Sequence, residues 1–154
     1  MDTTTQLDQA KELHRQGNLA MAEKFYFQVL QTDPNCFAAY LLLGTLRSQQ
    51  GRTSEATLLI GKSLQISPND FEALSIYGPL LMAEGRFAEA LEVFDRTLTI
   101  RPGIPQGLYN RGLALANLNR FEAALASYDS AISRQPDFAL AWIDRKSTRL
   151  NSSH

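Results

Sequence analysis

Apolar residues recur at helical spacing along this chain, and the whole pattern returns at a fixed interval. The clearest copy is the segment 85–102, GRFAEALEVFDRTLTIRP, in which Ala90, Phe94 and Leu98 fall on one face of a helix. A glycine opens this segment and a proline closes it, and both residue types end helices. Prolines at the same phase are separated by 68−34, 102−68 and 136−102, which is 34 residues each time: Pro34, Pro68, Pro102 and Pro136. A period of this length is typical of stacked helical hairpins.

The period divides the chain into units of two helices each. With the proline at position 32, the complete units are 3–36, 37–70, 71–104 and 105–138, and a fifth opens at Ala139. A glycine or asparagine near the middle of each unit marks the turn between its helices. The pattern predicts first helices near residues 5–16, 37–50, 71–84 and 105–118. It predicts second helices near residues 19–32, 53–66, 87–100 and 121–134.

Residue size also repeats within the units. Position 8 is small in every complete unit, and position 20 is always alanine: Ala10, Gly44, Gly78 and Gly112, then Ala22, Ala56, Ala90 and Ala124. Positions 24 and 28 are large: Tyr26, Ile60, Phe94 and Tyr128, then Leu30, Leu64, Leu98 and Ile132. A glycine inside a helix costs about 0.5–1 kcal/mol relative to alanine, so its recurrence indicates close contact between the two helices. We expect all four positions to be buried.

These residues resemble the signature of the tetratricopeptide repeat. The third unit carries it most completely, with Leu74, Tyr77, Gly78, Leu81, Ala90, Phe94 and Pro102. The resemblance covers residues 3–138 and implies an all-α fold, a right-handed α-solenoid of four tetratricopeptide helical hairpins plus the start of a fifth. The expected domain spans residues 3–143, of which 139–143 form the partial unit. Arg47 departs from the family pattern, because an apolar residue is usual there.

In this family the first helix of each repeat lines a concave groove, and the resemblance implies which side chains face it. These candidate peptide-binding residues are Lys11, His14, Leu41, Thr45, Gln49, Glu72, Ser75, Pro79, Met82, Gln106, Tyr109, Asn110, Leu113 and Asn117. The alternative is that they coat a solvated surface without a ligand, and that His14 is an ordinary surface histidine. We favour binding because solenoids present extended concave surfaces.

Pro79 lies inside a predicted first helix, directly after Gly78. A proline there normally costs ~3 kcal/mol, because it removes a backbone hydrogen bond and clashes with the preceding turn. We expect a kink, which is the usual consequence. The alternative is a widened groove in which the carbonyl of Ser75 is offered to a ligand.

Residues 144–154 do not continue the repeat. Lys146 takes position 8 of the fifth unit, and one choice of codons for DRKSTRLNSSH spells a common sequencing adapter. We interpret 144–154 as a non-native, adapter-derived tail, so that the natural sequence diverges after about Ile143; the alternative is a genuine polar tail. Residues 139–143 should then form a short helix with Trp142 partly exposed, and 144–154 should extend it by at most a turn and make few buried contacts. Such an uncapped end favours self-association.

Composition and charge narrow the function classes. Lys and Arg number 15 and Asp and Glu 16, without a basic block, which disfavours nucleic-acid binding. No apolar run approaches the ~20 residues of a membrane helix, and the N-terminus lacks a signal-peptide pattern. Cys36 is the only cysteine, so no internal disulfide forms, which fits a reducing compartment. We expect a cytoplasmic protein without nucleic-acid or membrane partners.

No constellation of side chains in the sequence indicates an enzyme. A Cys36–His14 nucleophile pair would lack an oxyanion hole, because Cys36 lies at a turn between units. Metal sites need several convergent His, Cys or carboxylate ligands, and the glycines follow the repeat rather than a phosphate-binding loop. We expect no catalytic residues, no cofactor and no metal.

Two function classes remain. One is a protein–protein interaction scaffold that binds an extended peptide or a partner helix in the groove. The other is the N-terminal substrate-recruiting arm of a longer bacterial glycosyltransferase that resembles O-GlcNAc transferase, whose groove asparagines are similar to Asn110. The clamp that some relatives use on chaperone C-terminal carboxylates is missing, because Leu7 and Lys11 stand where Lys and Asn are usual. Genomic sequence beyond codon 143 would distinguish the two classes.

Overall fold

The computed structural model describes residues 2–153, which form nine α-helices and no β-strand. In chain order the helices are α1 Thr3–Arg15, α2 Leu19–Thr32, α3 Phe37–Gln49, α4 Thr53–Ile66, α5 Phe71–Ala83, α6 Phe87–Ile100, α7 Pro105–Asn117, α8 Phe121–Arg134 and α9 Ala139–Ser152. Each complete unit of the sequence pattern therefore contains its two predicted helices. The predicted all-helical organisation is confirmed.

A residue in the left-handed region of backbone conformation closes the turn within each hairpin. These residues are Gly17 (φ 81°), Gly51 (φ 73°), Gly85 (φ 74°) and Asn119 (φ 60°). Glycine enters this region without steric cost, and asparagine tolerates it better than most residues. The tight turn lets the second helix of each hairpin run back along the first.

Chain contacts divide the protein into two compact units, each larger than one repeat of the sequence pattern. We call Met1–Ile76 unit 1 and Tyr77–His154 unit 2. In unit 1, α1 packs on α2, α2 on α3 and α3 on α4. A buried cluster at its centre comprises Ala10, Ala22, Tyr26, Leu43 and Leu46. In unit 2, α6 packs on α7, α7 on α8 and α8 on α9. Its buried side chains include Leu81, Phe94, Leu115 and Tyr128.

The recurring glycines allow the two helices of a hairpin to touch. A Cβ placed on Gly112 would lie 2.5 Å from Cε1 of Tyr128, and one on Gly78 would lie 2.3 Å from Cε1 of Phe94. Both distances are far inside van der Waals contact, so neither position has room for a side chain without rearrangement. Positions 8, 20 and 24 are buried in all four complete units, as predicted.

The burial predicted for position 28 is wrong for three of the four complete 34-residue repeats. Leu64 is buried, whereas Leu30, Leu98 and Ile132 are only half-buried. The position lies in the last turn of each second helix, where solvent reaches part of the side chain, and even Leu64 keeps 8% exposure.

Pro79 is accommodated within α5, which continues to Ala83. Its side chain is exposed, and the helix does not end at the proline. The kink and the free carbonyl of Ser75 therefore remain predictions, while a broken helix is ruled out for this segment.

The fifth unit contains a longer helix than expected. α9 extends to Ser152, and Ala141 and Thr148 are buried on its inner face. The prediction of a short helix that ends near residue 143 is wrong, whereas Trp142 is partly exposed as predicted and Thr148 is the one buried residue among 144–153. Lys146 is exposed, so position 8 of this unit makes no close helix contact and needs no glycine. The adapter origin of residues 144–154 stays a prediction.

Candidate peptide-binding site

His14 is engaged within unit 1. Its Nδ1 lies 3.0 Å from the hydroxyl of Tyr26 and its Nε2 lies 2.7 Å from Oε1 of Gln49. Burial raises the pKa of Tyr26, the partner of Nδ1, to about 12. Nε2 donates to Gln49, because the Oε1 of an amide can only accept. His14 and Gln49 were both predicted to face a ligand. Instead, the hydrogen bonds of His14 link α1 to Tyr26 of α2 and to Gln49 of α3.

The other candidates of unit 1 differ in their exposure. Leu41 is buried, with 6% exposure, so its prediction as a groove residue is wrong; its side chain contributes to the core instead. Thr45 is half-buried, and its hydroxyl donates to the carbonyl of Leu41 at 2.8 Å. Three candidates are exposed: Lys11, Glu72 and Ser75.

Tyr109 is a core residue of unit 2. Its ring centroid lies 5.0 Å from that of Phe138 and 5.9 Å from that of Tyr128, and its hydroxyl donates to the carboxylate of Asp144. Burial, together with the hydrogen bond to Asp144, raises the pKa of Tyr109 above its ordinary range. Its prediction as a groove residue is wrong because α9, whose length the sequence did not indicate, covers it.

Four candidates form one row along α7, which we call the amide row: Gln106, Asn110, Leu113 and Asn117. Their spacing of three or four residues places them on one face of the helix. Nε2 of Gln106 donates to Oδ1 of Asn110 at 3.0 Å, and Nδ2 of Asn117 donates to the carbonyl of Leu113 at 2.8 Å. Gln106 and Asn117 are exposed, and Asn110 and Leu113 are half-buried.

The amide row keeps unused hydrogen-bonding capacity. Within residues 2–153, Nδ2 of Asn110 and Oδ1 of Asn117 make no hydrogen bond. A side-chain amide offers both a donor and an acceptor, as does each peptide group of a bound main chain. Seven residues of helix separate the two asparagines, a distance of ~10 Å, which about three residues of an extended peptide would span. In the same unit, Pro79 and Met82 add a small apolar surface on α5.

A buried ion-pair network in unit 1 was not predicted from the sequence. Arg47 is 5% exposed, and its guanidinium pairs with Glu23 at 2.5 Å and with Glu55 at 3.0 Å. It also donates to Gln50 at 3.0 Å and lies 5.9 Å from the ring centroid of Phe27. The hydrogen bond to Glu23 raises the pKa of Arg47 and lowers that of Glu23. The only signal in the sequence was that Arg47 occupies a position at which the family pattern usually has an apolar residue.

Comparison with known proteins identifies the family. A family model described as tetratricopeptide repeat matches residues 105–138, and a second with the same description matches residues 59–105. The chain belongs to the tetratricopeptide repeat family. No curated protein sequence matches it.

Solved structures of this fold align over nearly the whole chain. MamA 41-end from Desulfovibrio magneticus RS-1 aligns with a TM-score of 0.90 and 17% identity, over 98% of this chain and 85% of that one. A structure of MamA protein gives 0.86 and 22%, over 98% and 86%. A tetratricopeptide repeat protein from Parabacteroides merdae ATCC 43184 gives 0.84 and 21%, over 97% and 60%. The likeness is one of fold, and it confirms the predicted all-α helical-repeat solenoid.

In the described part of the chain, no group of His, Cys, Asp and Glu side chains is arranged to hold a metal ion. None of the described helices has the length and apolar character that a membrane span requires.

Proposed function

We propose that this protein is a non-enzymatic scaffold for protein–protein interaction, and that it holds an extended peptide against the amide row of α7. The observation that supports this most directly is the unused donor on Asn110 and the unused acceptor on Asn117, on either side of Leu113. An extended peptide leaves its own N–H and C=O groups unpaired. The two asparagines supply partners for these groups, and Leu113 supplies apolar contact.

This arrangement favours recognition of the main chain over recognition of a particular side chain. The amide row carries no charged residue, so a charged motif gains no ion pair there. Each hydrogen bond contributes only about 0.5–1.5 kcal/mol net, so affinity depends on several contacts acting together. A partner helix would fit less well, because its N–H and C=O groups are already paired within the helix.

Peptide selection followed by substitution tests the proposal. Peptides selected against the full chain from a random library would be measured by fluorescence anisotropy against the parent, Asn110→Ala and Asn117→Ala. We expect each substitution to weaken binding by about fivefold, the loss of roughly one hydrogen bond, without lowering the melting temperature. Gln65→Ala removes an exposed amide from α4 of unit 1 and should leave binding unchanged.

Methylation of the peptide's own backbone nitrogens provides the decisive comparison. If the amide row binds the main chain, N-methylation of the central peptide group that donates to Oδ1 of Asn117 should weaken binding to the parent and abolish the effect of Asn117→Ala, whereas the effect of Asn110→Ala, whose Nδ2 donates to a peptide carbonyl, should remain. Equal affinity for methylated and unmethylated peptides, or equal losses from Asn110→Ala and Gln65→Ala, would contradict the proposal.

A further inference from the structure

The two asparagines of the amide row present opposite hydrogen-bonding groups, because a bond inside the protein turns each side-chain amide. Oδ1 of Asn110 accepts from Nε2 of Gln106 at 3.0 Å, which leaves Nδ2 of Asn110 as the group that a ligand can reach. Nδ2 of Asn117 donates to the carbonyl of Leu113 at 2.8 Å, which leaves Oδ1 of Asn117. The row therefore offers a donor at Asn110 and an acceptor at Asn117.

The bond from Gln106 is the only hydrogen bond that the side chain of Asn110 makes within residues 2–153. Gln106 lies in the first turn of α7, four residues before Asn110, so the two side chains are neighbours on one face of the helix. A bond accepted by Oδ1 also polarises the amide and strengthens its N–H as a donor. Without this bond, nothing in the described chain would hold Nδ2 rather than Oδ1 toward a ligand.

The repeat does not require this pair of residues. Gln106 and Asn110 occupy positions 2 and 6 of the fourth repeat. In the other complete repeats neither position carries an amide side chain, since the residues there are Thr4 and Asp8, Ala38 and Leu42, and Glu72 and Ile76. Packing between helices is common to all four repeats, so it does not explain the pair. Its accessible place on α7 fits a role in binding.

We propose that Gln106 is a positioning residue that sets the polarity of the amide row, an inference that rests on the proposed function. With Nδ2 of Asn110 toward the ligand, the row needs a peptide carbonyl at Asn110 and a peptide N–H at Asn117. A proline leaves the carbonyl of the preceding residue in place but has no N–H of its own, and it keeps that residue extended. The partner is therefore an extended segment that accepts proline at the peptide group facing Asn110 and excludes it at the group facing Asn117.

A proline scan of a peptide selected against the full chain tests this by fluorescence anisotropy. At the peptide group that donates to Asn117, proline should weaken binding to the parent about fivefold, the loss of roughly one hydrogen bond, and should have no such effect on Asn117→Ala. The group that faces Asn110 is found by replacing single peptide groups with esters, whose carbonyls are weaker acceptors. The replacement that has no effect on Asn110→Ala marks it, and proline at this group should bind the parent as well as the original peptide does.

Gln106→Glu tests the role of Gln106 itself, because a carboxylate accepts hydrogen bonds but does not donate them. It should accept from Nδ2 of Asn110 and turn Oδ1 toward the ligand, so that proline at the group facing Asn110 now weakens binding as well. Gln106→Ala should weaken binding of the original peptide about twofold, as expected for one exposed side-chain bond between residues four apart. Gln65→Glu in unit 1 is the control for added charge.

The melting temperature separates positioning from stability. Gln106 is exposed, and a carboxylate in the first turn of a helix is favourable, so Gln106→Glu should not melt below the parent. The same proline scan for the parent and Gln106→Glu, or equal losses at both groups of the parent, would overturn the inference and leave the proposed function intact. So would the same change of scan in Gln65→Glu. If neither Asn110→Ala nor Asn117→Ala weakened binding, the proposed function would fail, and this inference with it.

Discussion

Nη2 of Arg47 lies 2.5 Å from Oε1 of Glu23, so a buried guanidinium on α3 is anchored to α2. Leucine stands at the same position of the other complete units, as Leu13, Leu81 and Leu115. The ion pair therefore replaces an apolar contact that the repeat makes elsewhere. Buried ion pairs are often no more stabilising than apolar residues of similar size, whereas loss of a single partner is costly.

Two substitutions in this ion pair should therefore change the free energy of unfolding by different amounts. Arg47→Leu should change the free energy of unfolding by less than about 1 kcal/mol, because it restores the usual apolar contact and leaves two carboxylates that solvent can reach. Glu23→Gln should lower it by about 1–2 kcal/mol, because the buried guanidinium loses its shortest partner. Urea unfolding of both variants measures this. A larger loss for Arg47→Leu than for Glu23→Gln would show that the ion pair itself stabilises unit 1.

Gly112→Ala should destabilise unit 2 although alanine favours helices. Its Cβ would meet Cδ1 and Cε1 of the Tyr128 ring at 2.7 and 2.5 Å, and overpacking of this kind costs about 1–3 kcal/mol. The gain in helix propensity is at most about 1 kcal/mol. Gly107→Ala in the same helix is the control, since its Cβ would meet only the flexible end of Leu98, at 3.1 Å. Thermal unfolding should show a clear loss for the first and little change for the second.

Stability should fall at alkaline pH. Burial raises the pKa of Tyr26 from an ordinary value of 10.0 to about 12. Its contribution is therefore fully present below about pH 10, and it is lost as the pH rises toward 12, because the unfolded chain releases this proton first. Tyr26→Phe should flatten the fall in unfolding free energy across this window, measured by urea unfolding at several pH values. An unchanged slope would show that the hydroxyl ionises without cost in the folded protein.

The outer face of α9 should promote self-association. Trp142 is 47% exposed and Ile143 59% exposed, although Nε1 of Trp142 donates to the carbonyl of Pro136 at 2.8 Å. Trp142→Asp should raise the monomer fraction in sedimentation experiments at increasing concentration, because it removes apolar area from this face. Leu58→Asp is the control, since Leu58 is 62% exposed in unit 1. Equal monomer fractions for the parent and Trp142→Asp would contradict the prediction.

The amide row is the part of the candidate site that could be predicted from the sequence. Its four members were predicted from the resemblance to the tetratricopeptide repeat, and they lie on one accessible face of α7. Leu41 and Tyr109 were predicted by the same reasoning and are buried. The register fixes the side of a helix on which a residue lies, but not whether a neighbouring helix covers that side.

The sequence by itself determined the number and order of the helices in the complete repeats, their bounds to within two residues, and the close contact of the two helices of a hairpin at the recurring glycines. These depend on local propensity and on a period that every unit shares. Only the tertiary structure decided which partners His14, Arg47 and Tyr109 have. His14 bonds Gln49 across 35 residues and Tyr109 bonds Asp144 across another 35. Such pairings depend on how one repeat packs on the next, because a hydrogen bond forms only where two distant side chains are brought within reach.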